Sequence, residues 1–149
     1  MRGRLVAIIA GLLFLVMPAQ AANPVPSSTL QEILIKTALL SLNDANLTGN
    51  YAVLHDKLAK PFRDQFTPDK LKQAFKTFAD QKVDLSPIAA KPPVATSEST
   101  VDKRGALLLR GYFDTRPSRV HYDLDFYPSE GEWKPLKLNV DVKPSDEKN

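Results

Sequence analysis

Cysteine is absent from this chain of 149 residues. The protein therefore forms no disulfide and offers no cysteine for lipid attachment. Long apolar runs are also missing, since the longest, Leu5 to Val16, has about a dozen residues. A helix that crosses a membrane needs about 20 apolar residues. Stability must then come from a packed core, which a domain of this length can form.

Catalytic and cofactor motifs are missing as well. The sequence contains no P-loop, no glycine-rich dinucleotide fingerprint, no nucleophile elbow and no pair of histidines spaced for a metal ion. Of the two histidines, we interpret His55 as a partly exposed helix residue beside Leu54. The sequence therefore predicts no catalytic residue, no cofactor and no metal site.

The N-terminal segment has the pattern of a secretory signal peptide. A basic start with Arg2 and Arg4 precedes the apolar run, and a small-x-small sequence ends at Ala21. We predict cleavage after Ala21 and a periplasmic or secreted protein with no stable membrane span; an uncleaved anchor is the alternative. Cleavage leaves 18 basic and 17 acidic residues, and such a balance gives no electrostatic footprint for nucleic acid.

The C-terminal third alternates apolar and polar residues, as an antiparallel sheet covered on one face does. The region from Gly105 to Val142 predicts three consecutive strands, after an edge strand within residues 95–101. A turn centred near Glu130 would place Asp123 opposite Lys137 and Tyr127 opposite Trp133. In the middle strand one face is apolar, with the residues Val120, Tyr122, Leu124 and Phe126.

The N-terminal half predicts three helices. Ser28 with Gln31 resembles a capping box that begins the first helix, which is expected to end near Asn43. The second helix is expected to present one apolar face, formed by Leu47, Tyr51, Leu54 and Leu58. The third begins at the N-cap Thr67 and is expected to run to about Asp80. The fold class is therefore α+β: three N-terminal helices packed on a curved antiparallel sheet of about four strands.

The predicted organisation is a signal peptide at residues 1–21, a lead-in at 22–26, one domain at 27–143 and a flexible tail at 144–149. Element order and C-terminal segments such as 109–113 and 131–134 resemble the nuclear transport factor 2-like superfamily, the ketosteroid-isomerase-like or cystatin-like cone, in its bacterial exported members. The resemblance implies a pocket at the open end of the cone and frequent dimerisation through the outer sheet face. It does not imply an activity.

Two sets of residues are candidates for function. Tyr51 and Tyr122 could each present a hydroxyl to a small apolar ligand in the pocket, or each could be an ordinary core tyrosine. A second set combines aromatic residues with arginine, the composition of an interface core, and could mediate a homodimer through the outer face: Arg110, Tyr112, Tyr127 and Trp133.

His121, Asp123 and Asp125 share one face of the middle strand. Such a set could bind a divalent metal or act in acid–base chemistry, but we interpret it as a solvated outer face. We therefore expect an exported binding or interaction module without enzymatic activity. The alternative is an isomerase or hydratase type of enzyme that uses Tyr51 or Tyr122 in the cone pocket.

Overall fold

A computed structural model describes residues 23–145 of the chain. The predicted signal peptide and residues 146–149 of the predicted tail lie outside the described residues. Within them, helices come first and pack on an antiparallel sheet, which confirms the α+β class. No helix in residues 23–145 combines the length and the apolar character needed to cross a membrane.

Residues 28–90 form five α-helices and a 3-10 helix where the sequence predicted three helices. Their bounds are Ser28–Thr48 (α1), Ala52–Lys57 (α2), Lys60–Arg63 (α3), Pro68–Ala74 (α4), Lys76–Asp80 (α5) and Ser86–Ala90 (the 3-10 helix).

Helix α1 is longer than predicted. It begins after the N-cap Ser27, whose side chain accepts a hydrogen bond from the Leu30 amide, so the cap is not Ser28. It continues to Thr48 and ends where Gly49 adopts a left-handed conformation with φ 71°. Glycine meets no Cβ penalty in that region, so the helix ends there and not at Asn43. Leu47 consequently belongs to α1 and not to the second helix.

The predicted third helix is two helices. Thr67 is its N-cap, as predicted, with its hydroxyl accepting from the Lys70 amide and Pro68 in the first turn. The helical backbone is interrupted at Phe75 (φ −102°, ψ 13°), and α5 follows it. The apolar contact between the Phe75 and Phe78 rings spans this break.

The sheet has five strands within the described residues, one more than predicted: Val94–Ala95 (β1), Thr100–Val101 (β2), Leu107–Phe113 (β3), Ser118–Ser129 (β4) and Glu132–Pro144 (β5). Strands β3, β4 and β5 form an antiparallel meander, and β1 and β2 both pair with the free edge of β3. The two short strands replace the single edge strand that was predicted.

The alternating pattern of β4 correctly predicted its two faces. Val120, Tyr122, Leu124 and Phe126 are at most 5% exposed and belong to the core that faces the helices. Helix α1 contributes to this core the residues Ile35, Ala38, Leu39 and Leu42, which recur at helical spacing. The intervening residues of β4 therefore lie on the outer face of the sheet.

The register of the β4–β5 hairpin differs from the predicted one. Glu130 and Gly131 form a two-residue turn with φ 56° and 83°, the pattern of a type I′ hairpin. Pro128 therefore lies opposite Trp133, and Tyr127 lies opposite Lys134.

Further along the same hairpin, β5 contains one extra residue. Phe126 pairs with Pro135 and Asp125 pairs with Lys137, which leaves Leu136 as a bulge. Asp123 then lies opposite Asn139, although the Lys137 ammonium still reaches the Asp123 carboxylate at 2.6 Å.

The β5 edge of the sheet is partly covered. The amide of Ala59, in the loop between α2 and α3, donates to the carbonyl of Pro135 in β5 at 2.8 Å. The remainder of the β5 edge carries charged residues and Pro144. Within the predicted tail, Pro144 is the last residue of β5 and the Ser145 hydroxyl donates to the Thr115 carbonyl at 2.8 Å.

Candidate functional site

A large apolar groove of about 780 Å³ lies between α1, α2 and the β4–β5 hairpin. One stripe of α1 forms its floor, because Leu30, Leu34, Ala38 and Ser41 recur at intervals of three and four residues and so share a helix face. Ile33 stands at the edge of this stripe with 54% of its surface exposed. The groove is larger than two other concavities on the described residues, of about 470 and 280 Å³, and we treat it as the candidate site.

Helix α2 forms one wall with Val53, Leu54 and Lys57. The reversal at Gly49 turns the chain back along α1, and the Tyr51 hydroxyl donates a hydrogen bond to the Asn46 side-chain oxygen across the junction. Leu54 is buried, whereas Val53 is 62% exposed at the lip. Helix α2 therefore presents an apolar side chain to water directly beside the groove.

The hairpin forms the opposite wall with Phe126, Trp133 and Pro135. Trp133 is half-buried and packs against the core on the helix side of the sheet. This corrects the prediction that it lies on the outer face with the other interface candidates. The physical reason is the two-residue turn, because a register difference of one residue moves a side chain to the other face of a strand.

An ion-pair cluster connects the hairpin to α3. The Glu130 carboxylate accepts hydrogen bonds from the Lys134 ammonium at 2.5 Å and from the Arg63 guanidinium at 3.1 Å. These hydrogen bonds, that of Lys134 first, lower the pKa of Glu130 to about 2. The cluster joins the tip of the hairpin to the helical layer next to the groove.

Tyr51 and Tyr122 do not line this groove. Tyr51 is 3% exposed, and its hydroxyl is taken up by Asn46. Burial raises the pKa of the Tyr51 hydroxyl. In the structure Tyr51 links the start of α2 to the end of α1, and a role in ligand binding stays a prediction.

Tyr122 lies in a different part of the molecule. Its ring covers Gly111 of the neighbouring strand, and it lines a crevice of about 130 Å³ beside the start of α1. Burial raises the pKa of the Tyr122 hydroxyl to about 12. An aromatic ring over a cross-strand glycine fills the space that the missing side chain leaves, which is a core role. The two tyrosines are not brought together in one pocket.

The outer face of the sheet carries a network of ion pairs. Arg110 lies between two carboxylates, with Nη2 at 3.0 Å from Asp123 and 3.2 Å from Asp125. Asp125 is 5% exposed, and Arg104 approaches it at 3.3 Å. The two arginine partners compensate the charge of this buried carboxylate. The carboxylates of this face are therefore used to hold strands together.

The remaining candidates on the outer face also contact neighbouring side chains of the sheet. Tyr112 contacts the His121 ring at a centroid distance of 5.6 Å, and the Arg119 guanidinium lies 5.1 Å from the Tyr112 centroid. Tyr127 is half-buried beside Lys134. Within residues 23–145, no group of three His, Asp or Glu side chains is placed to hold a metal ion. A homodimer through this face stays a prediction, now without Trp133.

Sequence reasoning did not find the groove. Its signal was present in α1, where Leu30 and Ile33 stand outside the buried face formed by Ile35 and Leu39. Apolar residues on both sides of a helix are equally consistent with a helix that is buried on most of its circumference. The structure leaves Leu30 at 38% and Ile33 at 54% exposure, so this side of α1 has no partner among the described residues.

Comparison with protein families, curated proteins and solved structures finds no match to this chain. The resemblance to the nuclear transport factor 2-like superfamily therefore stays a prediction.

Proposed function

We propose that the protein is a small exported binding module that takes up an apolar ligand in the groove between α1, α2 and the β4–β5 hairpin. The observation that carries the proposal is the exposure of Ile33 and Val53, 54% and 62%, at the lips of an apolar groove of about 780 Å³. Pockets for small ligands are typically 300–1,000 Å³ and mostly apolar.

The free energy for binding would come from covering these side chains. Burial of apolar surface contributes about 25 cal/mol for each Å² removed from water. Each added methylene of a ligand chain contributes about 0.8 kcal/mol, which is close to a fourfold gain in affinity. A series of ligands that differ only in chain length therefore reports directly on contact with the groove.

Trp133 provides the measurement, because it is the only tryptophan in the chain and lines the groove. We expect uncharged straight-chain alcohols to change its fluorescence in a saturable way, with Kd falling up to about fifteenfold from octan-1-ol to decan-1-ol. A signal that does not saturate, or a Kd that is independent of chain length, would refute the proposal.

A matched pair of substitutions locates the site. Val53→Glu places a carboxylate at the lip and should weaken decan-1-ol binding at least about tenfold, because the charge would have to lose water beside an apolar chain. Leu47→Glu is the control: Leu47 is 61% exposed, close to the 62% of Val53, but does not line the groove. Equal effects of the two substitutions would place binding elsewhere.

The other expectations from the sequence have not gained support. Export and cleavage after Ala21 concern residues outside the described part of the chain. The hypothesis of an isomerase or hydratase depended on Tyr51 or Tyr122 in the main pocket, and neither lines the groove. Binding of an apolar ligand is the function that the described geometry favours.

A further inference from the structure

The groove is not apolar along its whole length. The stripe of α1 that forms its floor begins with Leu30 and Leu34 and ends with Ser41. Thr37, also exposed, adds a second hydroxyl toward the same end. At 1.5 Å per residue, the distance from Leu30 to Ser41 along the helix is about 16 Å. An elongated ligand in the groove would therefore meet apolar side chains first and hydroxyl groups last.

A lysine stands at the hydroxyl end. The Lys57 ammonium donates a hydrogen bond to the Ser41 hydroxyl at 2.8 Å, which holds it beside the last turn of the stripe. No salt bridge joins Lys57 to a carboxylate within the residues that the structure describes. An ammonium has three donors, so it can bind an anionic group in addition to the serine.

The other charges around the groove differ from Lys57. Lys134 also lines it, but its ammonium is bound by Glu130 at 2.5 Å. Asp56 lies 3.7 Å from the His55 ring nitrogen, and its side chain is 82% exposed, so water screens it well. Glu132, at the hairpin, is also exposed. Lys57 is therefore the groove cation that is available to a ligand.

From these positions we infer that the ligand is a single-chain amphiphile with an anionic head group. Its apolar chain lies along Leu30, Leu34 and Ala38, and its head group binds the Lys57 ammonium beside Ser41. The inference rests on the proposed function, since it assigns a class of ligand to the same groove. Carboxylate, sulfate and phosphate heads share the required charge.

The test compares three ligands that share a ten-carbon chain and differ in the head group: decanoate, decan-1-ol and decyltrimethylammonium. The readout is the Kd from Trp133 fluorescence, below the micelle concentration and at low salt. We expect decanoate to bind about fivefold to tenfold more tightly than decan-1-ol and decyltrimethylammonium to bind more weakly than both. The advantage of decanoate should shrink in 0.5 M salt, since exposed charges are screened.

Lys57→Met keeps most of the apolar stem and removes the charge. It should abolish the preference for decanoate over decan-1-ol and leave the decan-1-ol Kd within about twofold. Lys72→Met is the control, because Lys72 also lies in the last turn of a short helix, α4, but away from the groove. Lys72→Met should retain the full preference for decanoate over decan-1-ol. Because both substitutions remove a cation from the last turn of a short helix, their effects on the helix dipole are matched.

Each result decides between defined outcomes. If decan-1-ol binds as well as decanoate, or Lys57→Met keeps the preference, the anionic head group is refuted while the apolar groove stands. If none of the three ligands binds, the proposed function fails as well. If light scattering shows a dimer that Ile33→Glu dissociates and that excludes the ligands, a second copy occupies the groove and both proposals are overturned.

Discussion

Replacing Gly111 by alanine tests the role that the structure gives to Tyr122. A Cβ at position 111 would lie closer than 3.0 Å to the backbone oxygen of Val94 and to two atoms of Tyr122, with Cζ at 2.8 Å. Overpacking of this kind costs about 1–3 kcal/mol. The substitution also raises the free energy of unfolding by about 0.5–1 kcal/mol, because glycine loses more conformational freedom on folding than alanine does. The ring can shift but the Val94 backbone cannot easily do so, and we expect a net loss of about 2 kcal/mol.

Urea unfolding, followed by Trp133 fluorescence, measures this loss. With a slope of about 1–3 kcal/mol per molar urea, 2 kcal/mol lowers the midpoint by about 1 M. Tyr122→Leu removes the ring from Gly111, so Gly111→Ala should be less harmful in that background by about 1 kcal/mol.

Gly105→Ala serves as the control, because its φ of 83° is left-handed but nothing lies within 4 Å of the added Cβ. It should cost about 1 kcal/mol from backbone strain alone and show no coupling to Tyr122. If Gly111→Ala is neutral, or if its cost is additive with Tyr122→Leu, the ring does not cover the glycine and the core role of Tyr122 is wrong.

Two further predictions concern the helical layer and the hairpin. Asn43 is 3% exposed, and its side-chain oxygen accepts a hydrogen bond from the Leu85 amide at 2.8 Å. Asn43→Ala should lower the free energy of unfolding in urea by about 1–3 kcal/mol, because it leaves that buried amide unpaired. A decrease of less than about 0.5 kcal/mol would contradict this. The pKa of Glu130 is lowered from 4.5 to about 2, so its ion pairs stabilise the fold fully above pH 4.5 and progressively less as the pH falls toward 2. The stability difference between the wild type and Glu130→Gln should therefore be constant from pH 7 to 5 and shrink below pH 4.5; a difference that grows on acidification would be inconsistent with the cluster.

The sheet was predictable because its signal is local. Period-two alternation in β4 needs only the sequence of that strand, and it placed Leu124 inside and Asp123 outside, as found. The N-cap at Thr67 was predictable for the same reason, since hydroxyl, proline and acid occur in consecutive positions.

The position of Trp133 could not be obtained in that way. It depends on the number of residues in the turn, and a loop of two residues instead of three moves it from the outer face to the groove. The bulge at Leu136 then restores the faces of Leu138 and Val140, so the pattern of β5 alone hides the change.

The groove was missed for a related reason. Alternation and helical spacing show which residues are apolar, but they do not show whether a partner covers them. Ile35 and Ile33 have the same apolar character, yet one is 3% and the other 54% exposed. That difference arises only in the folded molecule, where Ile35 lies near Leu109 and Tyr122 of the sheet and Ile33 stands at the edge of the groove.

The edges of the sheet restrict how copies of this protein can meet. On one side, β1 and β2 expose two residues each, which is too short for another strand to continue the ladder. On the other, the amide of Ala59 occupies the Pro135 carbonyl, and lysine, aspartate and Pro144 follow toward the end of β5. Backbone-to-backbone growth into fibrils is thereby discouraged at both margins. The protein exposes apolar side chains at its groove, but the unpaired backbone N–H and C=O groups at its sheet edges are poorly placed to bind another copy. This arrangement favours a protein that does not aggregate.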